Sequence, residues 1–170
     1  MSTESWPALG LAVGAAASLT CQPAPPASLA ALGLPEELPP AWPGHLLAAL
    51  DQALGEQRGL RQALEACVGC GACHGSCSFH QGTGDPLNTP QGRASLARRV
   101  YQRHLSPRAR LIGRWGNPKP ILDESLLALW RAYFWQCTLC RRCAMFCPLG
   151  IDTSQVTRAC RHILAQLGQD

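Results

Sequence analysis

Two stretches of the chain, CVGCGACHGSC at 67–77 and CTLCRRCAMFC at 137–147, carry eight of its ten cysteines in one repeated spacing, C-x2-C-x2-C-x3-C. Cysteines two residues apart on a compact turn aim their sulfurs inward at a shared centre, which is how a metal site behaves and not how a disulfide framework is spread. Whatever else the chain does, it must fold so that two such turns are held rigid. Free thiols in this number imply a reducing compartment, and a cytoplasmic location is expected.

A structural zinc site takes four ligands in a tetrahedron, usually from two separated C-x2-C pairs. Three Cys at successive intervals of three, with a fourth four residues later, suit one face of an iron–sulfur cubane better. The second run also ends in Cys147-Pro148, the form common in bacterial [4Fe-4S] motifs. Two [4Fe-4S] clusters are therefore predicted, with two zinc ions or a redox C-x-x-C as the competing readings. In two-cluster ferredoxins the first three Cys of a run bind one cluster and the fourth reaches to the other. Here that pattern gives Cys67, Cys70, Cys73 and Cys147 to cluster one, and Cys137, Cys140, Cys143 and Cys77 to cluster two. The formal charge of +4 counts every Cys as neutral. Two oxidised clusters, each with about two negative charges once ligated, would offset it.

At 170 residues the chain has room for one domain with a real core, and 25 Leu against eight Val and Ile together favours helices over strands. The expected class is all-α. Residues 1–44 hold seven Pro between Pro23 and Pro43 and read as a flexible or docking arm; residues 45–170 form the iron–sulfur domain. Within the arm, ALGLAVGAAASL at 8–19 has the length of a signal h-region. No positive residue precedes it, and Ser18, Leu19 and Thr20 before Cys21 fit a lipobox poorly. At about twelve residues it is also short of the roughly 20 that a membrane span needs, so neither export nor a transmembrane segment is predicted.

Leu46, Leu47, Leu50, Ala53, Leu54, Leu60, Ala63 and Leu64 recur at helical spacing into the first run, with a break expected near Gly55 or Gly59. Thr89-Pro90 caps a helix to about His104; Asp123 caps one through LLALWRAYFW to the second run. DTSQ at 152–155 reads as a capping-box variant, with Asp152 as the cap and Gln155 as its partner. Val156, Cys160, Ile163, Leu164 and Leu167 then form one apolar face. The order helix, Cys run, helix, loop, helix, Cys run, helix is a two-fold internal repeat.

Residues 86–122 contain Arg93, Arg98, Arg99, Arg103, Arg108, Arg110, Arg114 and Lys119 and no acid. A solvated face that balances cluster charge is the simplest reading, ahead of docking to an acidic partner subunit; nucleic acid is disfavoured, since no nucleic-acid motif or interleaved aromatic is present. Gly69, Gly71 and Gly75 leave room near the first sulfurs, whereas Leu139, Arg141, Arg142, Met145 and Phe146 crowd the second run. Two unequal potentials are expected, unranked. Cys160 is expected to be a buried inert thiol and Cys21 incidental. His74 and His80 are expected to be packed or solvated, and Trp130, Tyr133, Phe134 and Trp135 to exclude water as core. No catalytic constellation is found.

CVGCGAC followed by GTGDP, then WQCTLCRRCAMFCPLGIDT, resembles the C subunit of heterodisulfide reductase and its relatives, over about residues 60–165. The relatives include C-type subunits of the sulfur-oxidising heterodisulfide reductase-like system and the N-terminal part of the K subunit of a sulfite-reduction complex. The resemblance implies an α-helical ferredoxin fold around two [4Fe-4S] clusters and a role in electron relay. It also implies two partners in sulfur metabolism, an A-type flavoprotein subunit and a B-type subunit with CCG domains. No CCG tripeptide occurs in this chain, so that catalytic module would lie in the partner. Ser78 stands after Cys77 where the family commonly has Pro. A stand-alone two-cluster carrier and a zinc-stabilised binding module are the alternatives.

Overall fold

The computed structural model describes residues 38–107 and 122–169, together with Ala31 and Ala109. Among these every regular element is helical. Most of the 1–44 arm, Cys21, Arg108, Arg110, Arg114 and Lys119 lie outside the described residues.

Helix α1, Trp42–Glu56, starts with Pro43 in its first turn, where a missing N–H costs nothing. It buries Trp42, Leu46, Leu50, Ala53 and Leu54 along one stripe. Trp42 and Pro43 therefore belong to the folded unit rather than to the arm, because the indole seals the core at 7% exposure. The chain breaks at Gln57, which is extended (φ −117°, ψ 94°), and α2 runs from Arg58 to Ala66. Both neighbouring glycines, Gly55 and Gly59, stay helical. The break lets Leu60, Ala63 and Leu64 turn onto the same core as Leu50 and Leu54.

After the first Cys run come a 3-10 turn at His74–Ser76 and a short helix α3, Ser78–Thr83. Gly84 ends α3 in the left-handed region (φ 66°), and Asp85 then accepts from Leu87 N–H to shape a second 3-10 turn, Pro86–Asn88. Ser78 is the first residue of α3, a helix position that Pro and Ser both suit, so the departure from the family's Pro leaves the turn intact.

Helix α4, Pro90–His104, has the expected cap: Thr89 Oγ1 accepts from Gly92 N–H at 2.8 Å. Helix α5, Glu124–Trp135, has Asp123 Oδ1 accepting from Leu126 N–H at 3.0 Å. The second run contains a one-turn helix α6, Arg142–Met145, and leads to α7, Ser154–Gln166. Here half of the expected capping box is present. Asp152 caps the start, its Oδ1 accepting from Ser154 N–H at 3.0 Å and from Ser154 Oγ at 2.6 Å, while the Gln155 side chain lies over Gly59 and does not return to the cap.

The C-terminal helix is the centre of the domain, packing on α1, α2, α4 and α5. Val156, Cys160, Ile163, Leu164 and Leu167 are all buried as expected, and Ser154, Thr157 and Ala159 widen the stripe so that several neighbours can share it. Trp130 and Phe134 of α5 meet edge to face inside this core, ring centroids 5.3 Å apart, the geometry that aromatic quadrupoles favour. Each Cys run leaves the C-terminal end of a core helix, α2 or α5.

Candidate metal centres

The two runs share two left-handed backbone positions. Gly69 and Gly71 have φ of 71° and 80°, and the residues at the same places in the second run, Leu139 and Arg141, have φ of 55° and 60°. The left-handed region is open to glycine and costs other residues roughly 1–2 kcal/mol, so the second run holds this shape against its own side chains. The shape turns amides toward sulfur. Leu139 N–H donates to Cys137 Sγ at 3.4 Å, and the Arg142 N–H beside Cys140 lowers that thiol's pKa.

Two adjoining concavities result. One is lined by Cys67, Cys70, Cys73 and Cys147, the other by Cys137, Cys140, Cys143 and Cys77, and Cys143 and Thr153 also form part of the first wall. Each hollow thus holds the first three thiols of one run and the last thiol of the other, and the first hollow has Cys143 as well. All eight are free thiols, and Cys70 and Cys140 are exposed at the rims. Among the described residues no three His, Cys, Asp or Glu side chains close on the single point that a lone ion requires.

Soft sulfur donors, five around the first hollow and four around the second with Cys143 shared, fit thiolate-ligated clusters. Burial pushes the Cys73 thiol up to about 11, with Cys143 and Cys67 adding like charge. Burial also raises Cys143, against a bond from Thr153 Oγ1 at 3.1 Å. Anionic sulfur there is stable only with a counter-charge, which a metal centre supplies.

Several residues at these sites went unrecognised in the sequence. Arg93, read as part of a solvated face, is 3% exposed; it donates to Cys77 Sγ at 3.1 Å and to Asn88 Oδ1 at 3.4 Å. Arg98 donates to Leu64 O at 2.8 Å and Ala63 O at 3.0 Å, closing the C-terminus of α2. Arg161 does the same for α5, donating to Phe134 O and Trp135 O at 2.9 Å and to Cys137 O, with its guanidinium over the Trp135 ring. No sequence signal announces this, since Arg98 and Arg161 stand at different distances beyond their runs. Arg99 remains on the surface as expected.

His74 is packed, its Nε2 bonded to Gln91 Oε1 at 2.8 Å, and His80 Nδ1 bonds Asp85 O at 3.1 Å. Asp85, from the GTGDP segment, also accepts from Tyr133 Oη at 2.6 Å and pushes that phenol up to about 12. Cys160 is fully buried, and burial raises its thiol well above the ordinary range.

Residues 63–151 match the model for the 4Fe-4S dicluster domain. The chain belongs to that family of iron–sulfur proteins. More particularly, it is similar to heterodisulfide reductase-like iron–sulfur subunits, in line with its motifs. It is 39% identical over 132 residues to the Hdr-like menaquinol oxidoreductase iron-sulfur subunit of Archaeoglobus profundus, covering 78% of this chain and 24% of that protein. It is 27% identical over 133 residues to the C-type iron-sulfur subunit of the CoB--CoM heterodisulfide reductase of Methanopyrus kandleri, covering 78% and 55%. The glycolate oxidase iron-sulfur subunit of Escherichia coli is 29% identical over 103 residues, covering 61% and 20%. The chain thus spans about a quarter of the first of these relatives. No solved structure matches it. No helix among the described residues is long and apolar enough to cross a membrane.

Proposed function

We propose that this chain relays single electrons through two [4Fe-4S] clusters with crossed ligand sets, as the electron-transfer part of a heterodisulfide reductase-like oxidoreductase. Cys67, Cys70, Cys73 and Cys147 hold one cluster; Cys137, Cys140, Cys143 and Cys77 hold the other. The observation that carries this reading is that the last thiol of each run, Cys147 or Cys77, lines the hollow of the other run's first three thiols, with Cys143 common to both walls. A [4Fe-4S] cubane held by thiolates takes up and gives back an electron without bond making. The protein's part is to fix the sulfurs, aim amides at them and keep the centres adjacent through the shared wall of Cys143 and Thr153.

The partners in this reading are an A-type flavoprotein subunit and a B-type CCG-domain subunit of sulfur metabolism. A subunit fits better than a free carrier because large apolar side chains stand exposed in and beside the two Cys runs. Val68 is 75% exposed, Met145 84%, Phe146 59% and Leu149 49%. Val68 and Leu149 line the first hollow together, and apolar side chains exposed side by side suit a place where another protein docks. Anaerobic purification should give about eight iron and eight sulfide per chain; a colourless protein with two zinc ions would sink the proposal. In Cys147→Ser, the centre built on the first run should change its EPR signal while the other keeps its own. The opposite pattern rules out the crossed assignment.

A further inference from the structure

We infer that Arg93 ranks the two centres, its buried guanidinium holding the second-run centre at the higher reduction potential so that an electron shared between them rests there. This rests on the crossed ligand sets proposed above.

A guanidinium at 3% exposure needs a counter-charge or the fold is penalised. Among the described residues Arg93 makes no ion pair with a carboxylate, and its hydrogen bonds go to Asn88 Oδ1 and Cys77 Sγ. Cys77 is the partner able to carry a full negative charge, and it does so as a cluster thiolate. The two hollows differ sharply in this respect. Arg93, Arg141 and Arg142 line the second; among the described residues no Arg, Lys, Asp or Glu lines the first, where Pro148, Leu149 and Ile151 surround Cys147. Arg141 counts for little, since its side chain is 63% exposed and paired with Asp152 at 2.9 Å, and solvent screens it further. Arg142 is exposed as well. Arg93 alone of the three is out of water.

Reduction adds one unit of negative charge to a centre, with no bond formed or broken. A fixed positive charge in a low-dielectric site stabilises the reduced form more than the oxidised one, and a hydrogen bond to a ligand sulfur acts in the same direction. The amide–sulfur bond from Leu139 N–H to Cys137 Sγ lies in the second run and acts in the same direction.

The test is an anaerobic dithionite titration of the full chain followed by EPR, with iron and sulfide measured in each sample. In Arg93→Gln the higher midpoint should fall while the lower stays put and both clusters remain loaded; Arg93→Lys, which keeps the charge, should recover part of the shift. A loaded Arg93→Gln with neither midpoint moved, or with only the lower one moved, overturns the inference. If Arg93→Gln fails to load, Cys140→Ser decides. The signal it perturbs identifies the second-run centre, and that signal must be the higher-potential one in the unmodified chain. Failure of the unmodified chain to show two [4Fe-4S] signals would count against the ligand sets, whatever Arg93 does.

Discussion

At Gly92 the first turn of α4 lies against the preceding turn so closely that a Cβ would stand 2.8 Å from Leu87 Cα and press on the Pro86 carbonyl oxygen. Neither neighbour is a flexible side-chain tip, so the backbone itself must move. Gly92→Ala should cost about 1–3 kcal/mol, read as a lower melting temperature of the loaded protein. It should also loosen the contact of Arg93 with Cys77, since Arg93 is the next residue. An unchanged melting temperature would mean that the turn yields freely. The eight cysteines were legible one by one, because their spacing is local. The role of Arg93 was not: a stretch with many arginines and no acid resembles a solvated face until the fold buries one of them. Leu139 and Arg141 show the same limit in reverse. Glycine announces the left-handed turns in the first run, and nothing at residue level announces them in the second.

At the scale of elements, each Cys run is aimed by the helix it leaves, and that helix is closed by an arginine from another helix. Arg98 of α4 holds the end of α2, and Arg161 of α7 holds the end of α5. A positive charge on terminal carbonyls complements the helix dipole and satisfies acceptors that have no partner within the helix. Arg161→Met, which keeps the stem and removes the donors, should lower stability by about 2–4 kcal/mol in a denaturant titration and speed cluster loss from the second-run centre. Arg98→Met should do the same at the first. Equal loss from both centres in either variant would show that the anchors act on the whole core instead of on one run. The caps at Thr89 and Asp123 could be read in advance because a cap needs only residues within one turn. The DTSQ segment was right for Asp152 and misled only at Gln155, whose side chain lies over Gly59 of another helix.

For the molecule as a whole, the apolar core and the thiol-lined hollows are nearly separate. Trp130, Phe134, Leu46, Leu50, Leu60 and Leu64 are fully buried among the helices, while Cys67 and Cys147 only touch that core from its edge. Removal of iron by an anaerobic chelator should therefore leave far-UV helicity mostly intact while the melting temperature falls. A drop of about 2–4 °C is expected for each kcal/mol of lost metal binding. Hydrogen exchange should rise first in the two Cys runs. If helicity collapses on iron removal, the core does not stand alone and the clusters are its scaffold.

The amino-acid sequence by itself determined the helical class, the spacing of the eight cysteines, the repeat and most helix starts, because periodicity, spacing and caps act between residues a few positions apart. The tertiary structure alone decided which arginines leave water, which helix sits at the centre, and how the last cysteine of one run comes to line the hollow of the other. Those depend on burial and on contacts between distant segments, where a charge gains its effect only from what surrounds it.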